Sequence, residues 1–213
     1  MKIGNKTLSV KAMLLVVVAI ALIAVAGWAL PFVLTGASES RTIYIYPGTS
    51  NEKFSEYLSE ELGDFGERVA TVLSIAGVDL DRRVGAYRVE EGESPLRFAR
   101  EIRNGLQSPV RFSFNNLRTK EQFAERVADK FLMSADDMLK VLNDSAECAK
   151  YGKTPQTIVA ALLPDSYEFY WNVKPDELLE RLAGYSEQFW SNERKQKAAE
   201  GFWNVFFGYC FSY

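Results

Sequence analysis

The run Leu162-Leu163-Pro164-Asp165-Ser166-Tyr167-Glu168-Phe169-Tyr170-Trp171 crowds four aromatic rings and two carboxylates around one proline. Such a set could handle sugars, because aromatic faces stack on pyranose rings and carboxylates accept from hydroxyls. The competing reading gives the same residues a packing task, as an aromatic strand or loop that plugs a domain seam. Other chemistries are excluded by composition. The chain has no histidine, which rules out a Ser-His-Asp triad, a Cys-His pair and any His-ligated zinc or haem. Two cysteines, Cys148 and Cys210, build neither a disulfide framework nor a four-cysteine metal site. No metal and no cofactor is expected. A net charge of −3 supplies no basic field for nucleic acid.

The elements around this run begin with an apolar segment. No charged residue occurs from Ala12 to Ser38. Residues 12–34 are long enough for a transmembrane helix, which needs about 20 residues. Lys2, Lys6 and Lys11 precede it without an acid, so residues 1–11 are expected in the cytoplasm and the main domain outside it. Trp28 suits the outer interface and Pro31 the exit. The alternative is a cleaved signal peptide, with Thr35-Gly36-Ala37 as the cleavage site; the apolar run is longer than the roughly 7–15 residues usual for such peptides. Without those three lysines the exported part keeps 22 basic residues against 28 acids and carries a formal −6.

The exported part reads as strand-turn-helix units. The first is Thr42–Tyr46, Pro47-Gly48, then a helix carrying Phe54, Leu58 and Leu62, with Thr49 and Glu52 at capping-box spacing. A second short helix follows Gly63-Asp64 over Arg68–Val78. The second unit is Gly85–Val89, then Ser94-Pro95 opening a helix that Asn104-Gly105 stops. The third is Val110–Phe114, Asn115-Asn116, then a helix capped by Thr119 with Gln122. Phe54, Phe98 and Phe123 each stand six residues after a turn position (Gly48, Gly92, Leu117) and read as core. Beyond them, Ser134 opens a short helix, Thr154-Pro155 another, and Pro175 a longer one with Leu178, Leu182, Tyr185 and Phe189 along one side.

With these elements in place, the sequence resembles the endolytic murein transglycosylases, the MltG or YceG-like family. The resemblance rests on the single N-terminal span, the strand Tyr44-Ile-Tyr-Pro-Gly-Thr, and Gly85-Ala-Tyr-Arg-Val as the family's G-x-Y strand. It rests further on Leu163-Pro164-Asp165-Ser166-Tyr167 as its P-D-(T/S)-Y signature, and on the helix from Pro175 through Phe189-Trp190. It implies an α+β fold: a transmembrane helix, a LysM-like peptidoglycan-binding strand-turn-helix subdomain over 42–132, and the start of a mostly helical catalytic domain over 133–200. It implies an anchor in the bacterial inner membrane and cleavage of nascent glycan strands between N-acetylmuramic acid and N-acetylglucosamine, with a 1,6-anhydro product. Glycan strands are the implied partner, with work beside peptidoglycan synthases. Asp165, Tyr167 and Glu168 are expected to line or brace the substrate groove.

The resemblance has a limit. The family's acid lies on a helix that would begin where this chain changes character, so no residue here is expected to be catalytic. Residues 201–213 hold seven aromatics and no charge. They are expected to be an aberrant tail from a frameshift or artificial end, the alternative being a natural hydrophobic tail. An incomplete domain would leave the apolar faces of Leu178, Leu182 and Phe189 short of partners. Two other functions stay open: a non-catalytic glycan-binding or scaffolding envelope protein, and a single-pass envelope protein that binds another protein.

Overall fold

A computed structural model describes residues 10–115, 117, 119–190, 194, 196 and 197. The Lys2 and Lys6 flank and the aromatic run 201–213 lie outside them. The chain divides into two compact units, one ending at Ser108 and one beginning at Pro109. Helices and two small antiparallel sheets build them, an α+β composition.

In the first unit, α1 (Val10–Ala29) and α2 (Pro31–Leu34) carry the apolar segment. Its 23 residues, Ala12–Leu34, are long and apolar enough to cross a membrane. Protein does not cover them: Leu14 is 65% and Ile23 72% exposed. Strand β1 (Arg41–Ile45) pairs antiparallel with β2 (Gly85–Val89), with Ile43 opposite Tyr87. Between them runs α3 (Asn51–Ile75), bent into two arms at Gly63, whose φ of 57° and ψ of −138° only glycine adopts cheaply. The second helix expected after Gly63 is therefore the far arm of an elbow. The N-cap is Ser50, which accepts from the Lys53 N–H at 3.3 Å, one residue past the expected Thr49. Helix α4 (Pro95–Asn104) starts on proline and ends at Gly105 in the left-handed region. Ile43, Ile45, Phe54, Leu58, Val69, Phe98 and Ile102 form the core.

In the second unit, β3 (Val110–Ser113) pairs antiparallel with β4 (Ser166–Phe169), Phe112 opposite Tyr167. The third strand-turn-helix unit thus belongs to this body. The division at 108/109 falls inside the 42–132 stretch expected to be one subdomain. The reason is packing: the ring of Phe112 meets Phe131 and that of Phe114 meets Tyr167, and both of those partners pack on Phe169. Helix α5 (Lys120–Ala128) is capped by Thr119 on the Gln122 N–H at 3.3 Å, as expected. Helix α6 (Ala135–Asn143) has a full capping box between Ser134 and Asp137. A further helix, α7 (Ser145–Lys150), follows at once and was not foreseen.

The helix expected after Thr154 is only a 3-10 turn, Ile158–Ala161. Pro164 disfavours helical backbone just before it, and Leu162 is already extended. Helix α8 (Pro175–Phe189) does find partners, against expectation. Leu178, Leu179 and Leu182 are fully buried in a cluster with Met138, Leu142 and Ile158; Phe189 stays 44% exposed.

Candidate functional site

A cavity of about 700 Å³ opens in the second unit beside β4, the start of β3 and α8. Pleating decides which side chains reach it. Along β4, Tyr167 and Phe169 turn into the core while Ser166 and Glu168 face solvent. All three residues expected at a groove, Asp165, Tyr167 and Glu168, are among its walls.

They do different physical work. Tyr167 is a brace. Its hydroxyl donates to the Leu163 carbonyl at 2.7 Å, and its ring lies 5.9 Å from Phe114 and 5.2 Å from Tyr185. Burial, helped by the nearby Asp165 carboxylate and Tyr185, raises its pKa, so it remains a neutral donor. Asp165 braces through two atoms. A side-chain oxygen accepts from the Ser166 N–H at 2.7 Å, and its carbonyl accepts from the Phe114 N–H at 3.3 Å, extending the ladder by one rung. Glu168 stands exposed on the outer face, directly across from Arg111.

Four wall residues were missed by sequence reasoning as members of a site: Arg111, Tyr170, Arg181 and Tyr185. Tyr170 was noted as one of the aromatic run and Tyr185 as one of a packing stripe. Arg111 donates to the Ser166 hydroxyl at 3.3 Å. Arg181 donates to the Glu168 carbonyl at 3.4 Å, and its guanidinium lies 4.6 Å over the Phe169 ring. Tyr170 and Tyr185 leave 52% and 40% of their surface open. The signal was present for two of them, since Arg181 and Tyr185 are four apart on one helix and so share a face.

Other reactive groups lie elsewhere. Cys148 is buried 3.4 Å from the Leu142 carbonyl, and burial pushes its thiol pKa up, the setting of an inert cysteine. Among the described residues no three Cys, Asp or Glu side chains gather as a metal site.

Comparison with known proteins bears on this site. No curated protein matches the chain. A crystal structure of a YceG-like protein from Listeria monocytogenes is similar, with 16% identity and a TM-score of 0.40 over 76% of this chain. The chain spans 59% of that protein's length, and a likeness this slight carries no argument about the fold. The YceG-like family model matches residues 43–205. That stretch begins inside β1, includes the groove residues of β3, β4 and α8, and ends beyond the last described residue. Matched over well more than half its length, the chain belongs to the YceG-like family.

Proposed function

We propose that this protein serves endolytic lytic transglycosylation of the bacterial cell wall. Residues 12–34 tether it to the inner membrane with the N-terminus in the cytoplasm, and the groove along β4 holds a murein strand. The supporting observation is the make-up of that groove. Open tyrosine faces, two carboxylates and two guanidiniums line a volume that accepts several sugar rings, within a chain of the YceG-like family. Within the 42–132 stretch read as LysM-like, the part that lies in the first unit offers a second hold on glycan.

The reaction needs one carboxylic acid that stays protonated until it donates. It protonates the glycosidic oxygen and the bond from muramyl C1 to that oxygen breaks. The muramyl 6-hydroxyl oxygen then closes on C1 and returns its proton to the carboxylate. Water is not consumed. Asp165 and Glu168 are both exposed, and neither is enclosed by apolar side chains as such an acid is. Their setting suits binding hydroxyls. It also favours a second reading, a glycan-binding envelope protein without catalysis of its own.

Incubating the purified full chain with isolated murein tests whether these residues bind glycan and whether they also cut it. Residues 1–213 are expected to sediment with murein and to release no 1,6-anhydro muropeptides detectable by mass spectrometry. Anhydro products from wild type, lost in neither Asp165→Asn nor Glu168→Gln, would place an acid elsewhere in the chain. Absence of binding would remove the murein reading.

A further inference from the structure

The groove holds two arginines that the transglycosylation chemistry does not use. Arg111 rises from the outer face of β3, and Arg181 from α8 beside the edge of β4. Neither has a carboxylate within ion-pair distance among the described residues, although Glu168 is the direct cross-strand neighbour of Arg111. Each instead donates to a neutral oxygen, Arg111 to the Ser166 hydroxyl and Arg181 to the Glu168 carbonyl. Those bonds fix the direction of the guanidiniums but leave most of their donors unused. A guanidinium has five N–H donors in a fork that matches a carboxylate, and it is held ready here by an aromatic ring beneath one of the pair.

We propose that Arg111 and Arg181 make the groove selective for glycan whose sugars carry free carboxylates, with Tyr170 and Tyr185 taking the ring faces. This rests on the glycan-binding reading above and adds the group that decides which glycan is held. On a murein strand the carboxylate is that of the lactyl ether on muramic acid or of the peptide attached to it; a neutral N-acetylglucosamine polymer has none. Glu168 acts in the opposite sense. It faces the same space with a like charge, so it lowers affinity for an acidic strand and speeds its release.

The test is binding of the full chain in detergent to three probes, with lengths matched. They are peptide-free murein strands with free lactyl carboxylates, the same strands with every carboxylate converted to a primary amide, and N-acetylglucosamine hexamer. Wild type is expected to prefer the free-carboxylate strand over its amide by about tenfold or more, the scale of charge-assisted hydrogen bonds. Arg111→Gln and Arg181→Gln each reduce that preference, and the double variant abolishes it, the loss on the free-carboxylate strand exceeding any change on the hexamer. Arg181→Lys, which keeps charge and stem but not the fork, retains part of it. Glu168→Gln increases it. Equal binding of the three probes by wild type, insensitive to the arginines, overturns the selectivity and leaves glycan binding standing. Failure of all three probes to bind removes the glycan reading itself. A parallel loss on every probe in the arginine variants, with unchanged circular dichroism, means that the arginines grip sugar hydroxyls rather than carboxylate, which also overturns the proposal.

Discussion

Single carboxyls in this protein do unlike jobs according to what surrounds them. Asp165 braces, Glu168 faces solvent, and Glu93 is held where a charge is costly. The Glu93 side chain is 5% exposed; it accepts from the Glu90 N–H at 3.1 Å and lies 3.4 Å from Arg97. Arg88, Glu90, Glu91, Arg97 and Glu101 face the same small hollow. Burial raises its pKa first, and Glu101 adds to the rise, against the pull of the Glu90 N–H and Arg97. The folded state therefore binds the proton more tightly than the unfolded chain. The associated stability is complete below the ordinary glutamate value of about 4.3 and is lost as pH climbs through the raised value. Asp137 behaves in the reverse way. Its serine cap and Lys140 lower its pKa to about 2, so its support is present above the ordinary aspartate value and fades only in strong acid. Above the ordinary carboxylate values the Glu93 effect stands alone of the two. Glu93→Gln keeps an acceptor for the Glu90 N–H and removes the repulsion from Glu101. Thermal melts across that range are expected to show the variant above wild type at pH 7, with a flatter pH dependence. A lower melting point at pH 7 would mean that the Arg97 pair outweighs desolvation.

Elements follow their local punctuation closely, and fail to follow it where partners are distant in sequence. Thr119, Ser134, Pro95 and Gly105 set helix ends because a cap or a left-handed residue acts within one turn. The shift from Thr49 to Ser50 is the error such signals allow, since adjacent hydroxyls can each cap the first turn, Thr49 through the Glu52 N–H and Ser50 through the Lys53 N–H. The β3–β4 pairing was not legible. Nothing in Val110–Ser113 names its partner, and the alternation that sends Tyr167 inward and Glu168 outward is fixed only when that ladder forms. The groove inherits that opacity: Asp165, Tyr167 and Glu168 could be read from one aromatic run, whereas the arginine of β3 and the helix α8 reach them only through tertiary structure. Two glycines give the elements a test of opposite signs. A Cβ on Gly66 would lie 1.9 Å from the Leu58 carbonyl oxygen, because the arms of α3 cross there. Gly66→Ala is expected to cost about 3 kcal/mol in chemical denaturation. Gly184 lies within α8, and a methyl group added there would meet nothing within 4 Å, so Gly184→Ala is expected to gain about 1 kcal/mol from helix propensity. A neutral Gly66→Ala would show that the elbow opens freely.

At the scale of the whole molecule the question is whether the apolar helix remains attached. The residues just after it are part of the folded body. Thr35 accepts through its hydroxyl from Arg68 at 2.8 Å. Ala37 donates to the Glu93 carbonyl and accepts from the Gly92 N–H, both at 2.9 Å. Gly36 lies against Gly92 so closely that a Cβ would meet its Cα at 2.7 Å. Cleavage after Ala37 would remove these contacts from the folded body, so the retained anchor proposed above and a cleaved signal peptide give different mature proteins. A helix of this length and apolarity partitions into lipid effectively irreversibly. Expressed in a bacterial host, the chain is expected to stay with membranes through an alkaline carbonate wash and to retain residues 12–34 by intact mass. Deleting residues 12–34 behind a substitute export signal should release the folded body as soluble protein. A mature mass beginning at Ser38 in the soluble envelope fraction would overturn the anchor. It would also show that the body holds its fold without the strap of Thr35 to Ala37, because those contacts would leave with the cleaved peptide.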